Sequence, residues 1–304
     1  MPNNAVVNVC MITYGHEKFI EQAINAVLLQ ECNFDFDLIV CNDKSPDATD
    51  AVVKSIIENH PNGNKIKYFS HPENLGMIPN FYFALEKCTG KYIAICDGDD
   101  YWTDPLKLQK QVDFLESNPG YIIHSGNAQV ETNGMLTTQI LGGNDNAVFN
   151  ITDFYTQNNL VTCTVLFRNI DLKPFQFFSN SFFGDWSLYV YLMKTSGLKA
   201  FRENSVFSVY RIQESGATFA LQGIKKANLH LQQINLVKRY LGYRHYSTND
   251  KNNINNYLIG KFRILALNKK FMPAVSVIFV NFKHCSYKIP FKKYLSGLKS
   301  MVIR

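Results

Sequence analysis

The sequence lacks the patterns that mark several common classes of protein. Its seven cysteines form no Cys-x-x-Cys pair, so neither a zinc site nor a disulfide framework is indicated. No Gly-x-Gly-x-x-Gly follows the first predicted strand and no P-loop occurs, which disfavours a dinucleotide site or a P-loop nucleotide site. The longest late apolar run, Phe271 to Phe282, would span only about 18 Å as a helix, against about 30 Å of hydrocarbon in a bilayer. We therefore predict no transmembrane span.

Acidic residues are almost absent from the last part of the chain. Residues 221–304 contain 16 lysines and arginines but a single acid, Asp250, whereas residues 1–220 contain 15 basic and 24 acidic residues. The net charge of +6 therefore conceals two parts of opposite sign. This difference in charge between the two parts indicates a basic module that binds a polyanion.

A secretion signal is also missing from the N-terminal sequence. No basic region followed by an apolar core starts at Met1, and cysteines that lie in apolar runs are typical of a reducing compartment. We therefore expect a cytoplasmic protein. What is present suits a folded chain, because 46% hydrophobic residues in 304 support one large or two small domains.

Strand-like and helix-like segments alternate three times through the first hundred residues. Apolar runs predict buried strands, and apolar positions at helical spacing predict the helices between them. This is the βαβ pattern of a mainly parallel sheet with helices on both faces. The predicted strands are 6–13, 36–41, 65–70, 91–96 and 200–210, and the predicted helices are 17–29, 51–59, 79–88, 106–117 and 187–195, with a helical pattern from 223 onward.

An acidic turn follows the fourth predicted strand. The run 91–96 is mostly apolar, and Asp97, Gly98, Asp99 and Asp100 come directly after it. Open α/β sheets bind ligands at the carboxyl ends of their strands, and a divalent cation with a diphosphate would relieve the repulsion of three adjacent carboxylates. The turn is therefore a candidate site for a metal-bound nucleotide. Taken alone, Asp-x-Asp also suits a solvated turn that merely ends a strand.

Five stretches in order resemble the family 2 inverting glycosyltransferases of the GT-A fold, especially bacterial members that build surface polysaccharides. One such motif alone is weak, but five in the family's order are specific. The resemblance covers roughly residues 1–215. The stretches are Ile12-Thr13-Tyr14, Val40 to Asp47, Asn74-Leu75-Gly76, Gly90 to Trp102 and Phe183-Gly184-Asp185-Trp186.

The resemblance implies how a nucleotide-sugar donor, most simply a UDP-sugar, would be bound. Thr13 and Tyr14 would border the base, with Tyr14 stacking on it. Asp43 would accept a hydrogen bond from the imide N–H of the base, and Asp97 would face the ribose. Asp99 would hold Mg²⁺ or Mn²⁺ bridging the diphosphate.

The same resemblance assigns the acceptor side. Asp185 would be the general base that removes a proton from the attacking hydroxyl, so that the sugar is transferred with inversion. Trp186 is an aromatic residue beside this base, so it is also a candidate platform for an acceptor glycan or lipid-linked oligosaccharide. Many relatives carry Tyr-Arg-x-His near the end of this region, where the chain has Gln213 instead of the histidine. Because Gln is a poor metal ligand, Arg211 becomes the expected diphosphate contact.

Plainer interpretations of these residues stay open at this point. Asp43 suits the start of a turn, Tyr14 and Trp186 suit a core, and Asp185 suits a helix N-cap. His124 is interpreted as structural.

Two other functions also stay open for the whole chain. One is a sugar-phosphate nucleotidyltransferase, which would need a Gly-rich loop after the first strand. The other is a non-catalytic glycan-binding protein on the same fold.

The predicted organisation is a catalytic domain followed by a basic module. Residues 1–220 form the catalytic domain, with a nucleotide-binding half (1–105) and an acceptor half (106–220), and residues 221–304 form a helical module. A helix starting at Pro290 would place aromatic and aliphatic side chains on one face and lysines on its flanks, which suits the surface of an anionic membrane. The alternative is a helix that packs on the catalytic domain. Nucleic acid is not an expected partner, since no nucleic-acid-binding motif accompanies the charge.

Overall fold

The computed structural model describes residues 5–213, 223–243, 248–267, 274, 275, 277, 278 and 294. The alternation of strands and helices predicted for the first hundred residues is confirmed. The strands are β1 (Val7–Thr13), β2 (Phe36–Asn42), β3 (Ile66–Ser70), β4 (Tyr92–Ile95), β5 (Tyr101–Trp102), β6 (Tyr121–Thr132), β7 (Met135–Leu141), β8 (Ala147–Phe149), β9 (Leu166–Arg168) and β10 (Lys199–Ile212). The helices are α1 (Ile20–Leu28), α2 (Thr49–Asn59), α3 (Met77–Lys87), α4 (Lys107–Ser117), α5 (Gly184–Ser196), α6 (Gly223–Tyr240) and α7 (Thr248–Leu267).

One mixed sheet forms the centre of the molecule, in the order β3-β2-β1-β4-β9-β6-β10-β5. The first four strands of this order pair in parallel, as the βαβ pattern predicts. Strand β9 then joins β4 and β6 antiparallel, while β10 runs parallel to β6. Pairing is thus parallel from β3 to β4 and mixed in the remainder of the sheet.

Alternate residues of the central strands explain how the helices pack. Val7, Val9 and Met11 of β1 lie in one buried cluster with the apolar stripe of α1, whose five buried residues recur at helical spacing. Full burial of one such side chain stabilises the fold by about 1.5–3 kcal/mol. Because β1 and β2 are buried, their carboxyl ends are fixed in space.

By its contacts, the chain divides into two compact units. The first contains residues 1–152 and 158–213, and the second contains residues 153–157 and 214–304. The first unit holds the whole sheet, and the second holds α6 and α7. Within the described part of the chain, no helix combines the length and apolar character that a membrane span requires. Apart from Tyr294, the helix predicted from Pro290 lies outside the described residues.

Candidate active site

The carboxyl ends of β1, β2 and β4 bring the predicted donor-site residues together. The backbone N–H of Asp43 donates to the carbonyl oxygen of Thr13 at 3.0 Å, which joins the ends of β2 and β1. The N–H of Gly98 donates to the carbonyl oxygen of Ile12 at 2.9 Å, which joins the acidic turn to β1. Three neighbouring parallel strands in register therefore gather residues that are far apart in sequence.

The acidic turn needs glycine at position 98. A Cβ atom there would lie 2.8 Å from Cβ and Oγ1 of Thr13 and 2.9 Å from Cδ1 of Ile20. Both neighbours are buried, so neither has room to withdraw. The glycine thus lets the turn lie directly against the end of β1, with Asp97 and Asp99 on either side of it.

The loop after β1 exposes the predicted base-stacking residue. Tyr14 is 49% exposed, so the alternative that it belongs to the core is wrong. Gly15 follows with a φ of +72°, and its N–H donates to Oγ of Ser45 at 3.0 Å. A half-exposed ring on an anchored loop suits stacking on a planar base.

Asp43 is more tightly engaged than the sequence indicates. It is 3% exposed, and its two carboxylate oxygens accept hydrogen bonds from the N–H groups of Leu75 at 2.7 Å and Gly76 at 2.9 Å. The turn before α3 is therefore fixed to the end of β2. Each oxygen keeps a second lone pair, and the contact with a base stays a prediction.

Asp97 lies within electrostatic range of the predicted metal ligand, Asp99, and of the predicted general base, Asp185. Burial, followed by the negative charges of Asp99 and Asp185, raises the pKa of Asp97 to about 8. Charges influence each other in this way only at short separations, because solvent and salt screen distant ones. The acidic turn and the N-terminus of α5 are therefore close enough in space for their carboxylates to influence one another.

The surroundings of Asp99 fit a divalent cation. Its side chain is 23% exposed, Nε2 of His16 lies 3.8 Å from its Oδ2, and Nε2 of Gln213 lies 3.3 Å from the same oxygen. Among the described residues, no group of three His, Cys, Asp or Glu side chains could hold a metal. A partly exposed carboxylate such as that of Asp99 suits a Mg²⁺ or Mn²⁺ ion that also binds the phosphates of a donor.

Asp185 lies in the first turn of α5, and two polar side chains from the segment before β9 donate to it. Its Oδ2 accepts hydrogen bonds from Oγ1 of Thr162 at 2.6 Å and from Nδ2 of Asn158 at 2.9 Å. The residue before the helix is Phe183, and no side chain caps it. Asp185 is therefore not the N-cap residue of α5, although its Oδ1 accepts a hydrogen bond from the N–H of Trp186 at 2.7 Å.

Arg211 does not have the predicted role of a diphosphate contact. It is 7% exposed, its Nε donates to Glu131 at 2.8 Å, and its Nη1 donates to the carbonyl oxygen of Asp99 at 2.9 Å. Its Nη2 donates to the side chain of Gln22. Each nitrogen of the guanidinium thus has a protein partner, and Arg211 stabilises the acidic turn at Asp99.

Trp186 also departs from the prediction. Its side chain is 1% exposed, and its ring lies 6.3 Å, between centroids, from that of Phe183. A ring buried on both faces cannot stack on a sugar, so the platform role is wrong and Trp186 belongs to the core. Burial of His124, at 0% exposure, confirms that it is structural.

Sequence reasoning missed three residues of the site. His16 lies in the turn after the first predicted strand, and Asn158 and Thr162 lie in a polar stretch without a recognisable motif. His16 lies beside Asp99, which is 83 residues later in the sequence. Asn158 and Thr162 donate to Asp185, which is 27 and 23 residues later. Of the three, only His16 lies beside a stretch that resembles the family, two residues after Tyr14.

Comparisons with known proteins agree with the motifs. A model of Glycosyl transferase family 2 matches residues 8–176. The uncharacterized protein Rv1520 of Mycobacterium tuberculosis is 34% identical over 113 residues, which is 37% of this chain and 32% of that protein. The matched stretch thus spans about a third of that relative. The UDP-Glc:alpha-D-GlcNAc-diphosphoundecaprenol beta-1,3-glucosyltransferase WfgD of Escherichia coli is 26% identical over 213 residues, 69% of this chain and 78% of that protein.

Solved structures show the same fold. TarS of S. aureus (residues 1–349, in complex with UDP-GlcNAc) has a TM-score of 0.63, covering 94% of this chain and 82% of that chain at 14% identity. The mannosyltransferase PcManGT of Pyrobaculum calidifontis, in complex with GDP-Man and Mn²⁺, has a TM-score of 0.58, covering 99% of this chain and 81% of that chain at 16% identity. The likeness concerns the fold, and it confirms the predicted α/β architecture of the GT-A type.

Proposed function

The chain belongs to glycosyl transferase family 2, and we propose that it transfers a sugar from a nucleotide-sugar to a hydroxyl group of a growing glycan or lipid-linked oligosaccharide. The observation that carries this proposal is the gathering of Thr13, Asp43 and the acidic turn at the carboxyl ends of β1, β2 and β4, where open α/β sheets bind ligands. The influence of Asp99 and Asp185 on the pKa of Asp97 supports it. A donor-binding acid and a candidate base that face one site are what transfer between two sugars requires.

The donor proposed is a UDP-sugar. The exposed ring of Tyr14 supports stacking on the base, with Thr13 and Asp43 at the adjacent strand ends and Asp97 facing the ribose. Two similar proteins support uridine, since TarS was solved with UDP-GlcNAc and the name of WfgD specifies UDP-Glc. The GDP-Man of PcManGT is the alternative that a donor screen has to exclude.

A divalent cation, Mg²⁺ or Mn²⁺, would be held by Asp99. When bound, it would neutralise charge that develops on the leaving diphosphate. The partly exposed carboxylate of Asp99 supports this role, as does the Mn²⁺ in the complex of PcManGT.

Asp185 would act as the general base. A sugar hydroxyl is a poor nucleophile, so a carboxylate within hydrogen-bond reach has to accept its proton during attack. Attack on the anomeric carbon from the side opposite the nucleotide inverts its configuration. The donors Asn158 and Thr162 on Oδ2 of Asp185 hold the carboxylate in one orientation, which spares it from reorganising during the reaction.

A donor screen tests this function. We expect UDP-sugars to raise the melting temperature of the full chain in the presence of Mn²⁺, because a ligand that binds only the folded state stabilises it. Tyr14→Ala should weaken this effect, and Tyr14→Phe should preserve it. No shift with any nucleotide-sugar would contradict the proposal. Release of pyrophosphate from a nucleoside triphosphate would instead indicate a nucleotidyltransferase, and binding without hydrolysis or transfer of the donor would indicate a glycan-binding protein.

We further propose that residues 221–304 hold the enzyme at the inner face of an anionic membrane, where a lipid-linked acceptor would be found. The support is the excess of 16 basic residues over one acid in this part of the chain. Each lysine or arginine near such a surface contributes about 1 kcal/mol. The protein would then be cytoplasmic and peripheral on the membrane.

A further inference from the structure

His16 and Asp99 face each other at a separation that suits two ligands of one cation. Nε2 of His16 lies 3.8 Å from Oδ2 of Asp99, which is too long for a direct hydrogen bond. With metal–ligand bonds of about 2.1 Å, two ligands of one ion lie about 3.0 Å apart at right angles and about 4.2 Å apart when opposite. The observed distance falls between these limits.

The imidazole of His16 is already oriented toward this position. Its Nδ1 lies 3.1 Å from Oγ1 of Thr13, which is 2% exposed. When Nδ1 donates its proton to that hydroxyl, the lone pair of Nε2 faces Asp99. An imidazole that is held through its other nitrogen is the usual form of a metal-binding histidine.

The backbone of His16 is fixed as well. Its N–H donates to Oγ1 of Thr49 at 3.0 Å, and that hydroxyl donates to Oδ1 of Asp47 at 2.5 Å. Thr49 is fully buried. The loop after β1 is therefore anchored to the start of α2 at the residue that carries the ring.

We propose that Nε2 of His16 is a second protein ligand of the cation held by Asp99, an inference that rests on the proposed function. Oxygen atoms of the donor diphosphate and of water complete the coordination. Mg²⁺ takes oxygen ligands and gives up its water reluctantly, so a nitrogen ligand would cost it more than Mn²⁺. We therefore expect His16 to favour Mn²⁺ over Mg²⁺ at this site.

Electron spin-echo measurements on the Mn²⁺–UDP complex of the full chain test the contact directly. We expect nitrogen modulation from a coordinated imidazole, and we expect it to change when the histidines are labelled with ¹⁵N. The modulation should disappear in His16→Gln and persist in His60→Gln, a matched change at the end of α2. The labelled, unsubstituted chain provides this readout even if a variant folds poorly.

Calorimetry of UDP binding gives the second readout. Relative to the unsubstituted chain, His16→Gln should weaken the Mn²⁺-dependent affinity at least about tenfold, as changes around metal ligands do. It should alter the Mg²⁺-dependent affinity much less.

The possible failures are distinguishable. If the unsubstituted chain binds UDP with Mn²⁺ but shows no histidine modulation, or if His16→Gln weakens Mn²⁺ and Mg²⁺ binding equally, the assignment of His16 is overturned while the proposed function stands. If the unsubstituted chain shows no metal-dependent binding of any nucleotide-sugar or of UDP, both proposals fail.

Discussion

The backbone N–H of Arg211 donates a hydrogen bond to Oδ1 of Asp100 at 2.8 Å. The third carboxylate of the acidic turn is therefore used to hold the end of β10. The guanidinium of the same arginine binds the carbonyl oxygen of Asp99, so backbone and side chain of one residue secure two consecutive acids. Only Asp97 and Asp99 remain available to a ligand.

Replacement of Arg211 should reduce stability. Arg211→Met would leave the carboxylate of Glu131, whose side chain is 13% exposed, without its partner. Removal of one member of a buried pair costs about 3–5 kcal/mol, which urea denaturation would measure. Lys110→Met, which breaks an exposed pair with Asp104, should cost at most about 1 kcal/mol. Unchanged stability of Arg211→Met with lost UDP affinity would restore the role of a diphosphate contact.

Asp99→Asn should abolish the metal-dependent part of donor binding. The amide is neutral and removes the negative charge that attracts the cation, while the fold should persist because the side chain is partly exposed. Calorimetry of UDP with and without Mn²⁺ measures this difference, and the exposed Asp145→Asn serves as the matched control. Metal-dependent affinity that survives in Asp99→Asn would refute the assignment.

Asp185→Asn should separate chemistry from donor binding. We expect turnover to fall by about 10²–10⁴-fold, the usual contribution of general-base catalysis, with donor affinity nearly unchanged because the base contacts the acceptor. Asp113→Asn, an exposed change on α4, should leave both quantities intact. Near-normal turnover of Asp185→Asn would require another residue as the base.

Protonation of His124 should make the folded state less stable in acid. Burial, followed by the charge of Lys107, lowers the pKa of His124 to about 3 from its ordinary 6.5. As the pH falls from 6.5 toward 3, the unfolded chain takes up a proton that the folded chain cannot bind, so the free energy of unfolding decreases.

The slope contributed by this histidine should be about 1.4 kcal/mol per pH unit near pH 5, which corresponds to one proton. Urea denaturation between pH 7 and pH 4.5 measures it. His124→Gln keeps a polar side chain beside Gln111 and should show a slope smaller by that amount. Equal slopes for the two chains would mean that His124 is not held neutral.

Membrane binding should depend on lysines of residues 221–304. The full chain should float with anionic liposomes at low salt and less so at high salt. Replacing Lys292, Lys293 and Lys299 by Gln should remove about 3 kcal/mol of attraction, a loss of about two orders of magnitude in partitioning. Equal flotation of both chains, or none of the full chain, would contradict the proposal.

The spacing of apolar residues along the sequence predicted many of the strands and helices. It could not predict which residues distant in sequence contact each other. Strand β1, helix α1 and the turn at Asp97 follow from apolar spacing, which each segment carries by itself. The burial of Trp186 and the engagement of Arg211 depend on which distant segments pack against them. Sequence motifs therefore identified residues near the site but could not separate those that face a ligand from those that support it.

The small segment 153–157, which belongs to the second compact unit, has a consequence for synthesis of the chain. Nε2 of His230 lies 3.0 Å from the carbonyl oxygen of Thr156, 74 residues earlier. At about 5–20 residues per second, roughly 4–15 s separate the translation of these two residues. Tyr155, whose ring lies 4.8 Å from that of Tyr243 in the finished protein, is therefore synthesised well before its partner, and we expect it to stay exposed on the nascent chain during that interval.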